Sequence, residues 1–369
     1  MPSLDDLPVR DDLRGLSPYG APQEPVPVAL NVNENPYEVP EEVAARVSAA
    51  IAQALPGLNR YPDREFTELR EKLAAYLGHG LGREQLWAAN GSNEIMQQLL
   101  QAFAGPGRSV LSFTPSYSMY PLLARGVGSR YIAVPREEGF RLGPRLAREA
   151  IEREQPAVTI LCAPNNPTGT GMPLETVEAA YEASRGIVVV DEAYAEFRHE
   201  GVPSALELLP GRERLVVSRT MSKAFAFAGA RLGYFAADPV VADAVRLVRL
   251  PYHLSAVTQA AAGAALDCAG IMLGQVEAIR AQRDRLSTEL ARLGYRPHPS
   301  EANFVLFGGV AEPQGVFRSL RERGILVRDV GLPGTLRVTA GTEAETGAFL
   351  AALAEIGGAE PGGARSGGA

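Results

Sequence analysis

The sequence predicts an α/β protein with a mainly parallel sheet covered by helices, preceded by an N-terminal arm and followed by a smaller α+β region. Three observations predict it. The chain of 369 residues exceeds the size at which one hydrophobic core usually keeps growing. Between residues 86 and 220, apolar runs of strand length alternate with helical stretches. Polar motifs follow those runs, and in parallel sheets such motifs meet at the carboxyl edge, where active sites form.

The N-terminal part of the chain predicts an extended arm followed by two helices. The first 30 residues are rich in proline and turn formers, which favours an arm. Segments 41–55 (EEVAARVSAAIAQAL) and 65–78 (EFTELREKLAAYLG) carry apolar residues at helical spacing, and Gly78 is expected to end the second helix. Lys72 lies on that helix among charged neighbours, so we expect it to be a solvated side chain.

The central part of the chain contains five short apolar runs that predict buried strands. Helices or turns separate them, including the helical stretches 92–105 and 116–126, so βαβ units are expected. Trp87 in the first run is interpreted as a core residue. The runs are LWAAN (86–90), SVLSF (109–113), VTILCAP (158–164), GIVVVDEA (186–193) and RLVVSRT (214–220).

Beyond residue 270 the pattern changes to a long helix, 273–294, followed by mixed strands and helices. Strands are expected in NFVLFGG, ILVRDV and TLRVTAG, and helices in PQGVFRSLRERG and AETGAFLAALAEIG. The final residues are glycine-rich without apolar periodicity, which favours disorder. The predicted organisation is an arm (1–30), a large domain (31–270), a small domain (271–357) and a disordered tail (358–369).

Composition narrows the classes of function. A net charge of −7 and a pI near 5.4 argue against a nucleic-acid or anionic-membrane surface, which needs a positive field. Two cysteines are too few for a disulfide framework, and neither they nor the four histidines show metal-ligand spacing, so no metal is expected. No targeting segment, membrane span or nucleotide-binding glycine loop is visible. We expect a soluble cytoplasmic protein acting on small molecules.

Lys223 stands out because the chain has only two lysines among 34 arginines. An amine can lose its proton, attack a carbonyl and form a Schiff base, whereas a guanidinium stays protonated. A lysine retained in this composition, within SRTMSKAFAFAGARLGY, suggests a covalent role. From composition alone, Lys223 could equally be an ordinary surface lysine. The neighbouring motifs decide between that interpretation and a covalent role.

Two further strand ends carry polar residues. Asp191 ends the run VVVDEAY, where a buried carboxylate needs a cationic partner, although alone it could form a structural ion pair or bind magnesium. Asn165 and Asn166 in CAPNNPTGT follow another strand, although alone they fit a tight turn. Taken singly, each of these residues can be explained by a structural role without any function in binding or catalysis.

A third strand end, AANGSNE, leads into a helix at residues 91–93. The unpaired N–H groups of a first helical turn form a natural phosphate cradle, although Ser92 as an ordinary N-cap explains the same residues. Together the strand ends match pyridoxal phosphate, which needs a lysine, a carboxylate at its ring nitrogen, a donor to its phenolic oxygen, a phosphate site and a stacking aromatic ring. The candidates are Gly91, Ser92, Asn93, Tyr117, Asn166, Asp191, Tyr194, Ser222, Lys223 and Arg231.

The motifs NPTG, DEAY and SKAFAFAGARLGY strongly resemble the fold-type I pyridoxal-phosphate aminotransferases. Residues 5–355 as a whole are similar to the histidinol-phosphate group of that family. The resemblance implies a large domain with a mainly parallel, seven-stranded sheet covered by helices, and a small C-terminal domain. Further matching stretches are LSPYGAP, LNVNENPY, NRYPD, ANGSNE, PSYSMYP, LPYHLS, ANFVLF, ILVRDV and LRVTAGT.

The resemblance also implies catalytic and cofactor-binding roles. Lys223 would hold the cofactor aldehyde and then carry the proton between the substrate α-carbon and the cofactor. Asp191 would pair with the ring nitrogen, and Asn166 and Tyr194 would bond the phenolic oxygen. Tyr117 would stack on the ring. The phosphate site would comprise Gly91, Ser92, Asn93, Ser222 and Arg231.

The resemblance further implies a homodimer, because Tyr61 matches a tyrosine that reaches the cofactor phosphate from the other subunit. Tyr19, Arg328 and Arg337, with Asn166, would bind substrate. Guanidinium forks suit both a phosphate ester and a carboxylate, the anions of the two half-reactions.

The implied reaction is ping-pong transamination of L-histidinol phosphate with 2-oxoglutarate, giving imidazole-acetol phosphate and glutamate in histidine biosynthesis. An aromatic amino-acid aminotransferase shares the anion-binding residues, and LSPYGAP and RTMSKAFAFAG favour the histidinol-phosphate group. A threonine-phosphate decarboxylase would share the cofactor site. A cofactor-sensing transcription regulator would need a basic DNA-binding helix, which the acidic arm does not supply.

Overall fold

The computed structural model describes residues 6–16, 18, 20 and 22–358. Tyr19, predicted to bind substrate, lies outside the described residues, as does all of the predicted tail except residue 358. The strands are β1 (Val28–Ala29), β2 (Leu86–Ala89), β3 (Ser109–Thr114), β4 (Arg130–Pro135), β5 (Val158–Cys162), β6 (Ile187–Asp191), β7 (Leu215–Thr220), β8 (Gly233–Ala237), β9 (Arg296–Pro297), β10 (Phe304–Gly308), β11 (Ile325–Leu326) and β12 (Thr335–Thr339).

The α-helices cover more of the described chain than the strands do. The two helices predicted after the arm are confirmed, and the second is followed by Gly78 in a conformation with φ of 68°. The α-helices are α1 (Glu41–Ala54), α2 (Thr67–Leu77), α3 (Ser92–Phe103), α4 (Met119–Gly126), α5 (Pro144–Glu154), α6 (Leu174–Ala183), α7 (Pro239–Arg246), α8 (Ala256–Asp267), α9 (Ala269–Arg292), α10 (Pro313–Glu322) and α11 (Glu343–Gly358).

The main sheet has seven strands in the order β2-β8-β7-β6-β5-β3-β4. Six strands run in the same direction, and β8 runs antiparallel to β2 and β7 on either side of it. The predicted α/β fold with a mainly parallel sheet is confirmed. The carboxyl ends of the six parallel strands therefore lie at one edge.

Burial explains why the central segments form strands. Every residue of β5, β6 and β7 is buried, as expected for a parallel sheet covered on both faces and rich in β-branched side chains. Trp87 on β2 is completely buried, and its Nε1 donates a 2.8 Å hydrogen bond to Gln98 Oε1 on α3. Its interpretation as a core residue is confirmed.

The C-terminal region forms a second, antiparallel sheet in the order β12-β10-β9. The predicted strand 325–330 is shorter than expected: β11 pairs in parallel with β1, and Arg328 then pairs with Arg337 as an isolated bridge. The arm is thereby connected to this region. The predicted domain boundaries stay predictions.

Helices α8 and α9 meet at a sharp bend of 74°. No single helix in the described ranges is long and apolar enough to cross a bilayer, and these two satisfy the length and composition criteria only as a pair.

Candidate active site

The polar residues at the sheet's carboxyl edge surround one cavity of about 430 Å³. Ser92, Asp191 and Lys223 contribute to it from separate motifs because parallel strands end on the same side. Arg328 and Arg337 reach it from the C-terminal region. Gly91 adjoins this cavity, and Tyr61 does not line it. The predicted residues that do line it are Ser92, Asn93, Tyr117, Asn166, Asp191, Tyr194, Ser222, Lys223, Arg231, Arg328 and Arg337.

Asp191 is the last residue of β6 and is 4% exposed. Its Oδ2 accepts a 2.7 Å hydrogen bond from Tyr120 Oη, and its Oδ1 accepts bonds of 3.3 Å from Ser218 Oγ and the Ala193 amide. Burial raises the pKa of Asp191, and these three hydrogen bonds oppose the increase. Within the described part of the chain, no cation is among the main influences on Asp191. The site thus offers a buried acceptor for a cationic ligand group.

Lys223 lies just after β7, and its Nζ donates a 3.0 Å hydrogen bond to the carbonyl oxygen of Val32. Burial lowers the pKa of Lys223 to about 8, and the positive charges of Arg337 and Arg231 act in the same direction. Glu34 opposes them. A substantial fraction of this amine is therefore neutral at mildly alkaline pH, as a nucleophile requires.

The two lysines are expected to differ in reactivity. Lys72 is less solvated than predicted: its side chain is 27% exposed and its Nζ lies 2.7 Å from Asp267 Oδ2 and 3.1 Å from Glu68 Oε1. These carboxylates outweigh burial and raise the pKa of Lys72. We predict that reductive methylation of cofactor-free protein modifies Lys223 with a half-maximal rate near pH 8, well below the pH that Lys72 requires. Peptide mass spectrometry can follow both, and equal pH profiles would contradict the prediction.

Gly91 and Arg231 lie together at the start of α3, where the phosphate cradle was predicted. Gly91 has a φ of 85°, and a Cβ there would lie 2.5 Å from Arg231 Nη2, so only glycine permits this approach. The N-cap of α3 is Gly91 and Ser92 is the first helical residue, so the alternative reading of Ser92 as the N-cap is wrong. Backbone N–H groups and a guanidinium together form an anion site.

Tyr117 lines the cavity, and Tyr120 packs against it. Tyr117 Oη donates to Asn93 Oδ1 at 3.3 Å, and its ring meets that of Tyr120 edge-on at 5.5 Å. Tyr120, fully buried against Asp191, was not predicted as a site residue. Its only sequence signal is its place in PSYSMYP, three residues after Tyr117 and at the start of α4.

Asn166 and Tyr194 lie together in the cavity, as predicted. Asn166 Nδ2 donates to Tyr194 Oη at 3.3 Å, while Asn166 Oδ1 accepts a 2.6 Å bond from Arg337 Nη1. Asn33 Nδ2 also donates to Tyr194 Oη, at 3.0 Å, and sequence reasoning missed it. Asn165 instead holds the turn through a 2.8 Å bond to Thr168 Oγ1, which confirms its structural interpretation.

Arg328 and Arg337 are adjacent on the C-terminal region, where their backbones exchange two 2.9 Å hydrogen bonds. Arg337 is 6% exposed and donates from Nη2 to the Asn31 carbonyl oxygen at 2.7 Å. Both arginines line the cavity beside Lys223. They can present positive charge to an anionic ligand.

Tyr61 is the one predicted cofactor residue that the structure places away from the cavity. Its side chain is 79% exposed and stacks on Tyr252 at a ring distance of 4.3 Å. A single chain therefore does not bring Tyr61 to the site.

The fold and the site together define the class. A seven-stranded sheet of this order, with a low-pKa lysine and a buried aspartate in one cavity at its carboxyl edge, is that of a fold-type I transaminase. The sequence profile of the class I and II aminotransferases matches residues 25–353. The chain belongs to the class I and II aminotransferase family.

Similar proteins can be aligned with this chain over nearly its whole length. A histidinol-phosphate aminotransferase of Paenarthrobacter aurescens is 61% identical over 353 residues, covering 95% of both chains. One of Thermobifida fusca is 56% identical, covering 95% of this chain and 96% of that one. The crystal structure of histidinol-phosphate aminotransferase from Sinorhizobium meliloti in complex with pyridoxal-5'-phosphate is 27% identical with a TM-score of 0.81, covering 90% of this chain and 91% of that chain.

Proposed function

We propose that this protein is a pyridoxal-phosphate-dependent aminotransferase that converts L-histidinol phosphate and 2-oxoglutarate to imidazole-acetol phosphate and glutamate, a step of histidine biosynthesis. The observation that carries the proposal is the joint presence of Lys223, Asp191, Arg328 and Arg337 in one cavity. The 61% identity to a histidinol-phosphate aminotransferase supports the choice of substrate.

The residues present fit pyridoxal phosphate. Asp191 is a buried carboxylate that lacks a cation among the described residues, and the protonated ring nitrogen would supply one. Gly91, with no Cβ, lets the guanidinium of Arg231 approach the start of α3, where it could bind the cofactor phosphate. Tyr117 would lie on the ring, Asn166 and Tyr194 would face the phenolic oxygen, and Ser92, Asn93 and Ser222 would complete the phosphate site. When bound, the cofactor supplies an aldehyde and a ring that accepts electrons from the substrate α-carbon.

The chain's own residues would bind and orient the cofactor and move the proton. Lys223, half-buried and with a pKa of about 8, could carry a proton between the substrate α-carbon and the cofactor. Asp191 would hold the ring nitrogen protonated in a water-poor site, where a fixed charge has its greatest effect. Tyr194 and Asn166 would fix the ring in its plane.

The two substrates share an anion close to the reacting carbon. Histidinol phosphate has a phosphate ester there, and 2-oxoglutarate has a carboxylate. Arg328 and Arg337 could bind either group with paired N–H donors. Tyr19 is proposed to join them.

Steady-state kinetics test the substrate. We expect kcat/KM for histidinol phosphate, with 2-oxoglutarate as acceptor, to exceed the values for phenylalanine and tyrosine. A clear preference for the aromatic amino acids would replace the proposal with an aromatic amino-acid aminotransferase. Release of carbon dioxide from threonine phosphate would indicate a decarboxylase instead.

We further propose that the protein is a cytoplasmic homodimer with shared active sites. Two segments expose large apolar side chains and meet where Tyr61 stacks on Tyr252. Contiguous exposed apolar surface of this kind is typical of protein interfaces. The two described cysteines are both free and buried, which agrees with a reducing compartment. The exposed apolar residues are Leu55, Leu58, Tyr61, Leu247, Leu250 and Tyr252.

A mixed-dimer experiment tests the shared site. Tyr61→Ala protein is expected to retain cofactor weakly, because the neighbouring site loses a phosphate partner. Mixed with Lys223→Ala protein under conditions of subunit exchange, it should recover about a quarter of wild-type activity, since half of the dimers then hold one intact site. Activity assays before and after exchange measure this. A fully active monomer in sedimentation analysis would refute the proposal.

A further inference from the structure

We propose that Asn33 is a positioning residue that fixes the direction of the Tyr194 hydroxyl proton, so that this hydroxyl always donates into the cavity. The inference rests on the proposed function, because the acceptor in the cavity would be the phenolic oxygen of the cofactor. Asn33 belongs to the segment LNVNENPY, lines the cavity, and donates a hydrogen bond to Tyr194.

The orientation of the Asn166 amide follows from its arginine partner. A guanidinium is only a donor, so Asn166 must turn its oxygen toward Arg337 Nη1, at 2.6 Å. The amide nitrogen of Asn166 is then directed to Tyr194 Oη, at 3.3 Å. Arg337 thus makes Asn166 a donor to Tyr194.

Asn33 is fixed by its contacts with Thr339. The backbone N–H of Asn33 donates to Thr339 Oγ1 at 3.1 Å, and that hydroxyl in turn donates to Asn33 Oδ1 at 3.1 Å. The amide nitrogen of Asn33 is left to donate to Tyr194 Oη at 3.0 Å. The carbonyl oxygen of Asn33 accepts a 3.1 Å bond from Asn303 Nδ2, which holds the backbone as well.

Two amide donors fill the accepting capacity of the Tyr194 hydroxyl. A phenolic oxygen accepts at most two hydrogen bonds and has one proton to donate. Tyr194 is 5% exposed and lines the cavity, and among the described residues its proton has no acceptor. Burial also raises the pKa of Tyr194, so the proton stays in place. The only direction left for it is the cavity, which is where the proposed cofactor would offer an oxygen.

The backbone of Asn33 determines which substitutions are informative. Its φ is 57°, a conformation that glycine, asparagine and aspartate adopt more readily than other residues. Asn33→Gly therefore removes the amide without straining the chain. Asn33→Asp keeps the shape of the side chain but presents an acceptor to Tyr194, which would draw the hydroxyl proton away from the cavity.

The experiment is a double-mutant cycle between Asn33→Gly and Tyr194→Phe, read by cofactor affinity and by the pH midpoint of the visible absorbance of the loaded protein. In the wild-type background Asn33→Gly is expected to weaken cofactor binding about fivefold to tenfold, the value of one ordinary hydrogen bond. It should raise the absorbance midpoint by about half a pH unit to one unit. In the Tyr194→Phe background, Asn33→Gly should change cofactor affinity and the absorbance midpoint by less than about a third of the changes seen in the wild-type background. The reason is that the hydroxyl group that Asn33 contacts is absent there.

Equal effects of Asn33→Gly in both backgrounds would overturn the proposal, because Asn33 would then act without Tyr194. Asn33→Asp provides an independent test: it should exceed Asn33→Gly in both readouts, and wild-type values would overturn the proposal. Thermal unfolding of the cofactor-free variants controls for a loss of fold. Failure of the wild-type protein to bind pyridoxal phosphate would instead refute the proposed function.

Discussion

Lys223→Ala protein is expected to lose transamination by at least about a thousandfold, the largest effect of any single substitution in the site. The reason is that the cavity holds no second amine to replace it: the only other lysine, Lys72, lies on α2 in ion pairs with Asp267 and Glu68. Steady-state turnover of histidinol phosphate and the visible absorbance of protein purified with added pyridoxal phosphate measure the loss together. Wild-type turnover and absorbance would show that the lysine assignment is wrong.

Two control variants separate the chemistry of Lys223 from its charge. Lys223→Arg keeps a cation near the Val32 carbonyl oxygen but cannot lose its proton at neutral pH, so it should be as inactive as Lys223→Ala. Lys72→Arg changes the other lysine and preserves its ion pairs, so it should leave turnover within about twofold of wild type. Rescue of activity by Lys223→Arg would indicate that this position contributes only charge.

Five of the seven strands of the main sheet could be predicted from the sequence because they are almost wholly buried on both faces. The local pattern missed β4, most of whose residues are not buried, and β8, which runs antiparallel to its neighbours. Runs such as residues 187–191 are continuous in apolar, β-branched residues, and local composition alone identifies them. Their polar ends could be predicted to converge because parallel strands share an edge. Lys223, Asp191 and Asn166 were found in this way, although they come from three separate strand ends.

Residues that act through long-range contacts could not be found from local patterns. Asn33 reaches Tyr194 across 161 residues of sequence and Thr339 across 306. Its own segment, LNVNENPY, matches the family but carries no local sign of either contact. Tyr120 resembles any aromatic residue on a helix until β6 is placed beside it. Strand β11 was overestimated because Arg328 leaves the pairing with β1 to form a bridge with Arg337.

Asp191→Asn is expected to have the second-largest effect, lowering kcat by about a hundredfold or more. Asparagine keeps the shape of the side chain and can still accept a bond from Tyr120 or Ser218, but it cannot hold a proton on the cofactor's ring nitrogen. KM for histidinol phosphate should change by less than about threefold, because Arg328 and Arg337, and not Asp191, are proposed to bind the anion of the substrate. Single-turnover kinetics of the loaded protein measure the decrease, and an unchanged kcat would remove Asp191 from the mechanism.

The next residue in the chain provides the matched control. Glu192 is as buried as Asp191 but lies in an ion-pair network with Arg219 and Arg198, at 2.8 and 3.2 Å, and does not line the cavity. Burial opposes ionisation of Glu192, but the two arginines outweigh it and lower its pKa. Its charge therefore stabilises the fold above its unfolded pKa near 4.5, and that contribution is lost as pH falls through the folded value.

Neutralising Glu192 should therefore reduce stability and leave catalysis intact, whereas neutralising Asp191 should reduce catalysis and leave stability intact. Glu192→Gln is expected to reduce the free energy of unfolding by about 3–5 kcal/mol, because it leaves buried arginines unpaired, while kcat per loaded site stays near wild type. Burial raises the pKa of Asp191, so its charge opposes folding above its unfolded pKa near 3.8. Cofactor-free Asp191→Asn protein should thus be at least as stable as wild type at pH 7. If the Asp191→Asn variant were less stable than wild type, Asp191 would contribute to folding. A carboxylate that serves only to bind the cofactor should not lower the free energy of unfolding of the cofactor-free protein when it is replaced by a neutral amide.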